Sequence, residues 1–185
     1  SEADGLAVDT VAVSVAELNA DGTATVVNDA AQSDLSVGGA LVLRTAAGSL
    51  TLNDGADADG VAVSAADGVL LQAGGLGSDL LVNAGVRSTG GDVTLKAAQG
   101  ITLAGGVGVD TSATVSLDAQ AGALTMAGTA AVNGSSVRLQ AATDVVLGNV
   151  SGASVSVVAG GDVLNAEGST VNVSGGSLRL QAAGG

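Results

Sequence analysis

Eighteen acidic side chains, with no histidine and no cysteine beside them, limit the chemistry open to this 185-residue chain. The densest acidic stretch is NDGADADG at 53–60, which carries Asp54, Asp57 and Asp59. One turn could aim several of its carboxylates and backbone carbonyls at a hard cation such as calcium. The second candidate is GGLGSDLLV, Gly74 to Val82, with Asp79 in its acidic position. It fits the Gly-Gly-x-Gly-x-Asp-x-apolar-x unit of calcium-loaded β-rolls, in which the ion sits between stacked half-turns. A β-roll needs that unit again after nine or eighteen residues, and neither 65–73 nor 83–91 supplies it. The 53–60 stretch in turn lacks the bidentate glutamate of an EF-hand, with Ala65 and Ala66 in that neighbourhood. The simpler expectation is a glycine-rich loop at 74–82 and a solvated acidic turn at 53–60. Calcium is the one cofactor these residues could take.

Other chemistries fare worse. Without His or Cys there is no ordinary zinc, copper or haem site, no thiol nucleophile and no Ser-His-Asp triad. Without Phe, Tyr or Trp there is no stacking platform for sugars or bases. Two carboxylates held about 5–9 Å apart can hydrolyse a glycoside. Asp92 and Asp118 fall in or beside different repeats with no matched partners, and Arg138 and Arg179 are separated by the repeat that carries Ser156. No catalytic residue is expected. A net charge of −13 disfavours nucleic acid and anionic membranes as partners. No apolar run approaches the ~18 residues a membrane span needs. At 46 % hydrophobic residues the chain is not of the disordered type. It opens on Ser1 without a signal peptide and reads as a segment of something longer.

The elements that would position any site come from an internal repeat. From residue 41 the chain restates one phrase, an apolar-x-apolar triplet, a further residue and alanine, then a corner and a second apolar triplet. DVTLKAAQGITLAGG is followed by ATVSLDAQAGALTMAG, SSVRLQAATDVVLGN, ASVSVVAGGDVLNAEG and GSLRLQAAGG. Aligned on the alternation, the first column reads Leu41, Val61, Val93, Val115, Val137, Val155 and Leu178, and the second Leu43, Val63, Leu95, Leu117, Leu139, Val157 and Leu180. Period-2 alternation marks strands with one buried face, whose outward residues would be Val42, Ala62, Thr94, Ser116, Arg138, Ser156 and Arg179. Corners fall at Gly48, Gly68, Gly100 and Gly122, then Asp144 and Asp162, residue types that tolerate a left-handed backbone. A second strand starts at Leu50, Val69, Ile101, Leu124, Val145 and Val163, and a looser third lies near Leu80–Val82, Ala131–Val132, Val150 and Val171–Val173.

Short strands recurring about every twenty residues predict an all-β fold, a parallel β-helix (β-solenoid) whose stacked coils share one narrow core. A β-sandwich also has short strands and glycine turns, but it would not keep column identity through seven copies. Residues 41–185 form the repeat region, with an insertion of roughly ten residues around 74–91. Residues 1–40, with seven acidic and no basic side chains, are expected to be an acidic linker or degenerate first coils.

The run GDVTLKAAQGITLAGG … VSLDAQAGALTMAG … SVRLQAATDVVLGN … SLRLQAAGG resembles the repeats of filamentous haemagglutinin-type adhesins, large bacterial exoproteins, over about residues 39–185. The resemblance implies a right-handed β-helix and an extracellular or cell-surface location. It also implies a structural role in attachment, aggregation and biofilm matrix, with a host or bacterial surface or matrix component as partner. Free coil ends would favour end-to-end or lateral self-association. The alternatives are a calcium-responsive extracellular binding module and, less favoured, a polysaccharide-active β-helix enzyme.

Overall fold

The computed structural model describes residues 1–166 and 171–184. Its strands form three seven-stranded parallel sheets and one antiparallel hairpin. Sheet A stacks Leu41–Thr45, Val69–Ala73, Val93–Ala97, Thr114–Ala119, Ser136–Ala141, Ser154–Ala159 and Ser177–Ala182. Sheet B stacks Leu6–Val8, Leu50–Leu52, Leu80–Val82, Ile101–Leu103, Leu124–Met126, Val145–Leu147 and Val163–Asn165. Sheet C stacks Leu35–Val37, Val61–Ala65, Gly85–Ser88, Gly108–Thr111, Ala131–Asn133, Asn149–Ser151 and Val173–Ser174. From residue 35 the chain visits C, A and B in turn and then repeats, so each circuit is one coil. This is the parallel β-helix the repeats predict, and it contains no helix among the described residues.

The alternation explains the stack. In sheet A, Val93, Leu95 and Ala97 pair with Val115, Leu117 and Ala119, and these with Val137, Leu139 and Ala141. All nine are buried, while the residues between them face out. Ile101, Leu124 and Val145 make the matching column in sheet B, and Val86, Val109 and Val132 in sheet C. Three such columns converge on a core of Leu, Val, Ile, Ala and a single Met126, too narrow to need a ring. A lone coil could not bury its inward face. Burial comes from the coils above and below.

Three sequence expectations need correction. Val61, Val63 and Ala65 belong to sheet C, and the strand in the sheet A column is Val69–Ala73, paired with both Leu41–Thr45 and Val93–Ala97. Both segments spell apolar-x-apolar-x-Ala, so alternation alone does not separate them. Ala62, expected outside, is buried, and Leu70 is the outward residue of that coil. Residues 74–91 hold no inserted coil. Leu80–Val82 continues sheet B in register, Gly85–Ser88 continues sheet C with one register shift where Ala62 is skipped between Val61 and Val63, and the extra length lies in the loops at 53–60 and 74–79.

Residues 1–40 are part coil, part hairpin. Leu6–Val8 pairs with Leu50–Leu52 and Leu35–Val37 with Val61–Ala65, while Ser14–Leu18 and Ala24–Asn28 form the antiparallel pair between them. Its turn runs through Asp21 and Gly22, the latter at φ 85°. Every residue of the hairpin strands is exposed. Of the four corner glycines, Gly48 alone takes a left-handed backbone, φ 79°. Gly122 is tight for space instead, because a Cβ there would lie 3.0 Å from the Gln99 carbonyl carbon and the Gly100 nitrogen, closer than ordinary contact. Parts of two repeat phrases, Glu167 and Gly168 of the sixth and Gly185 of the last, lie outside the described residues.

Candidate metal centre

The 53–60 loop leaves sheet B at Leu52 and must reach sheet C at Val61. Gly55 and Gly60 have φ of 66° and 81°, and between them Ala58 is the one described residue other than glycine with positive φ, 55°. An alanine in that region costs about 1–2 kcal/mol relative to ordinary backbone. Here the bend falls between Asp57 and Asp59. Side-chain caps hold the loop: Asp54 Oδ1 accepts from the Gly60 N–H at 2.6 Å, and Asp59 Oδ1 from the Val61 N–H at 2.7 Å. Its other anchor is the preceding coil, where Ser33 Oγ accepts from the Ala56 N–H at 3.2 Å and lies 3.3 Å from Thr10 Oγ1.

That packing brings in a residue the sequence reading missed. Asp34, next to Ser33 and just ahead of the first sheet C strand, joins Asp57 and Asp59 in a cluster whose carboxylate oxygens lie within 4.8 Å of one another. Oxygens bound to one calcium at 2.3–2.6 Å can be that far apart, so the spacing suits a shared cation. Asp34 is half-buried and its Oδ1 is shielded from solvent with no hydrogen-bond partner. Burial raises the Asp34 carboxyl above the ordinary carboxylate range, and the charges of Asp57, Asp59 and Asp54 push it the same way. A buried oxygen lacking a donor and a carboxyl crowded by like charge would both be relieved by a cation. Nearby, Asp9 is held below the ordinary range by the Thr10 N–H and by Asn53, whose Nδ2 donates to Asp9 Oδ2 at 2.8 Å. Asn83 Nδ2 donates to Asn53 Oδ1 at 3.0 Å, extending this polar ladder one coil further.

Of the expected ligands, Asp57 and Asp59 are in the cluster and Asp54 stands beside it as a loop cap. Asp79 is not brought to them. It occupies the corner between sheets A and B, where its Oδ1 accepts from the Gly100 N–H at 2.9 Å and its own N–H donates to Ser49 Oγ at 3.0 Å. In GGLGSDLLV, Gly75 and Gly77 have φ of 85° and 76° and Leu76 is fully exposed, the geometry of a glycine-rich loop capped onto its neighbours. Asp92 caps the Thr114 N–H at 2.9 Å, and Asp118 lies 3.6 Å from Lys96. They are engaged separately.

Asp34 could have been found only through register. It stands 23 positions before Asp57, and nothing local marks it until Leu35 is known to pair with Val63. No protein-family model, curated protein or solved structure matches the chain.

Proposed function

We propose that this chain is a shaft segment of an extracellular bacterial adhesin or matrix fibre, a non-catalytic spacer that carries attachment by reach. The observation behind the reading is the continuous ladder, three parallel sheets of seven strands in nearly unbroken register around one apolar core. Backbone hydrogen bonds run along the long axis from coil to coil, the direction in which a tether is pulled, and like coils can extend such a rod without a new fold. The likeness of the repeats to haemagglutinin-type exoproteins points the same way. Displaying one, two or three tandem copies beneath a common binding tip on a bacterial surface tests it. Attachment to neutral beads coated with the tip's receptor should rise with copy number. Attachment independent of copy number would refute the reading.

A second reading, a calcium-responsive module, is favoured by the unpartnered buried oxygen of Asp34 beside Asp57 and Asp59. Calorimetric titration with calcium should give heat from the native chain and none from Asp34→Asn. Equal heats from both would remove this reading and leave the shaft.

A further inference from the structure

The chain has five cations, and the fold places four of them on one face. Arg44, Lys96, Arg138 and Arg179 all occupy outward positions of sheet A. They fall on its first, third, fifth and seventh strands, so a cation recurs on every second coil. The strands between carry Leu70 and Gln72, then Ser116 and Asp118, then Ser156 and Val158. At about 4.8 Å per strand the cations repeat every ~9.6 Å along the axis. Arg44 and Lys96 share one row, with Gln72, Asp118, Gln140 and Gln181 in register. Arg138 and Arg179 start in the neighbouring row, but Arg138 Nη2 donates to Gln140 Oε1 and Arg179 Nη2 to Gln181 Oε1. Each guanidinium thus reaches a glutamine in the row of Arg44 and Lys96, and Arg179 Nη1 also donates to Ser156 Oγ of its own row at 3.4 Å. Asp118 is the one carboxylate among these outward positions, and it is taken up with Lys96. At the edges of the face, Asp92 caps the Thr114 N–H and Asp144 Oδ1 accepts from the Asp162 N–H at 2.8 Å. Beside the arginines runs an open groove of about 380 Å³ whose surface is mostly apolar, with Val137, Val155 and Leu178 in its lining and a few serine and threonine hydroxyls along it.

We propose that this face binds a linear polysaccharide of alternating neutral sugar and uronate, laid along the axis with its carboxylates on Arg44, Arg138 and Arg179, and on Lys96 where the ligand takes the place of Asp118. In such a polymer the carboxylate recurs once per disaccharide, a repeat of the size the alternate-coil spacing sets. Arginine suits it, because the guanidinium fork takes a carboxylate through paired donors. The serine and threonine hydroxyls offer donors and acceptors to the sugar between. The sparse charge of the polymer matters as well. A chain of net charge −13 repels a dense polyanion such as duplex DNA, with one charge per ~1.7 Å, while carboxylates ~9.6 Å apart meet one cation each. The proposal goes beyond the shaft reading, since a spacer needs no ligand.

The test measures binding of the full chain to immobilised hyaluronan, with polygalacturonate, dextran and duplex DNA as comparators. It is run at salt near 0.01 M and near 1 M, where the Debye length is about 30 Å and about 3 Å. Hyaluronan should bind at least tenfold more tightly than dextran or DNA at low salt, more tightly than polygalacturonate with its acid on every sugar, and lose that margin at high salt. Arg138→Gln with Arg179→Gln should lower affinity at least tenfold with an unchanged thermal melt. The pair Ser156→Arg and Arg179→Ser keeps the charge and shifts one cation by a coil, so it should bind several-fold more weakly. No binding, equal binding to DNA or dextran, or a shifted variant equal to the native chain would each overturn the proposal.

Discussion

Replacing Leu117 by alanine and, separately, Leu180 by alanine puts one substitution into one column at two depths. Leu117 is fully buried, with Leu95 before it and Leu139 after it in register. Leu180 occupies the same column on the last coil, against Val157 alone, and is 53 % exposed. Leucine to alanine removes three carbons from the core, about 2.4 kcal/mol of transfer free energy at ~0.8 per methylene. At Leu117 the stacked coils on both sides hold the space open, and the cavity term brings the loss to about 3–4 kcal/mol. At Leu180 half of the side chain is already in water and no closed cavity forms, so the loss should be about 1 kcal/mol. The difference, ~2–3 kcal/mol, corresponds to roughly 1 M in urea midpoint. With no Trp or Tyr, unfolding is followed by far-ultraviolet circular dichroism, with amide hydrogen exchange as a second probe. Equal losses at the two sites would refute the argument that each coil's burial is supplied by its neighbours.

Three further outcomes are expected. The raised carboxyl of Asp34 means the folded chain holds that proton more tightly than the unfolded one, so its contribution favours folding at low pH and is lost as pH rises through the raised value. Asp34→Asn should therefore raise the melting temperature at neutral pH relative to acid, and should abolish any rise given to the native chain by millimolar calcium. Asp79→Ala should cost about 1–2 kcal/mol by leaving the Gly100 N–H without its cap, and by the same amount in EDTA and in calcium, as urea midpoints in each buffer will show. Gly106→Ala, at φ 80° with nothing within 4 Å, should cost only the left-handed backbone, about 1–2 kcal/mol. Gly48→Ala adds a Cβ 2.4 Å from the Gly5 nitrogen to the same strain and should cost clearly more in the same titration.

From Val93 onward the fold could be read from the sequence, because each coil there has one apolar-x-apolar-x-Ala strand and the columns have a single solution. Around residues 61–73 there were two solutions. VAVSA and VLLQA carry the same inward pattern, and a strand's alternation says which side chains are buried without saying in which sheet they stand. With Val61 in the column of Leu41, one coil is displaced and an apparent insertion arises after Gly74. The hairpin was legible in principle, since Asp21-Gly22 between two alternating runs is a strong turn signal. It belongs to no coil column, so the repeat alone does not predict it.

The candidate sites illustrate why register, more than motif, decides function in a solenoid. GGLGSDLLV matched a calcium pattern residue for residue, yet its Asp79 spends its carboxylate on the next coil's backbone. Asp34, which matches nothing, stands in the acidic cluster because Leu35 pairs with Val63 and the 53–60 loop folds back over Ser33. The cation row is of the same kind. Arg44, Lys96, Arg138 and Arg179 are scattered through 136 residues of sequence and become a line with a two-coil period only when the strands are stacked. Residues inside the coil are fixed by the need to fill a narrow core, and a local phrase records them. Residues outside are free coil by coil, so any site there is written across coils. That is why moving one cation from Arg179 to position 156, at constant composition and charge, tests the surface more sharply than removing it.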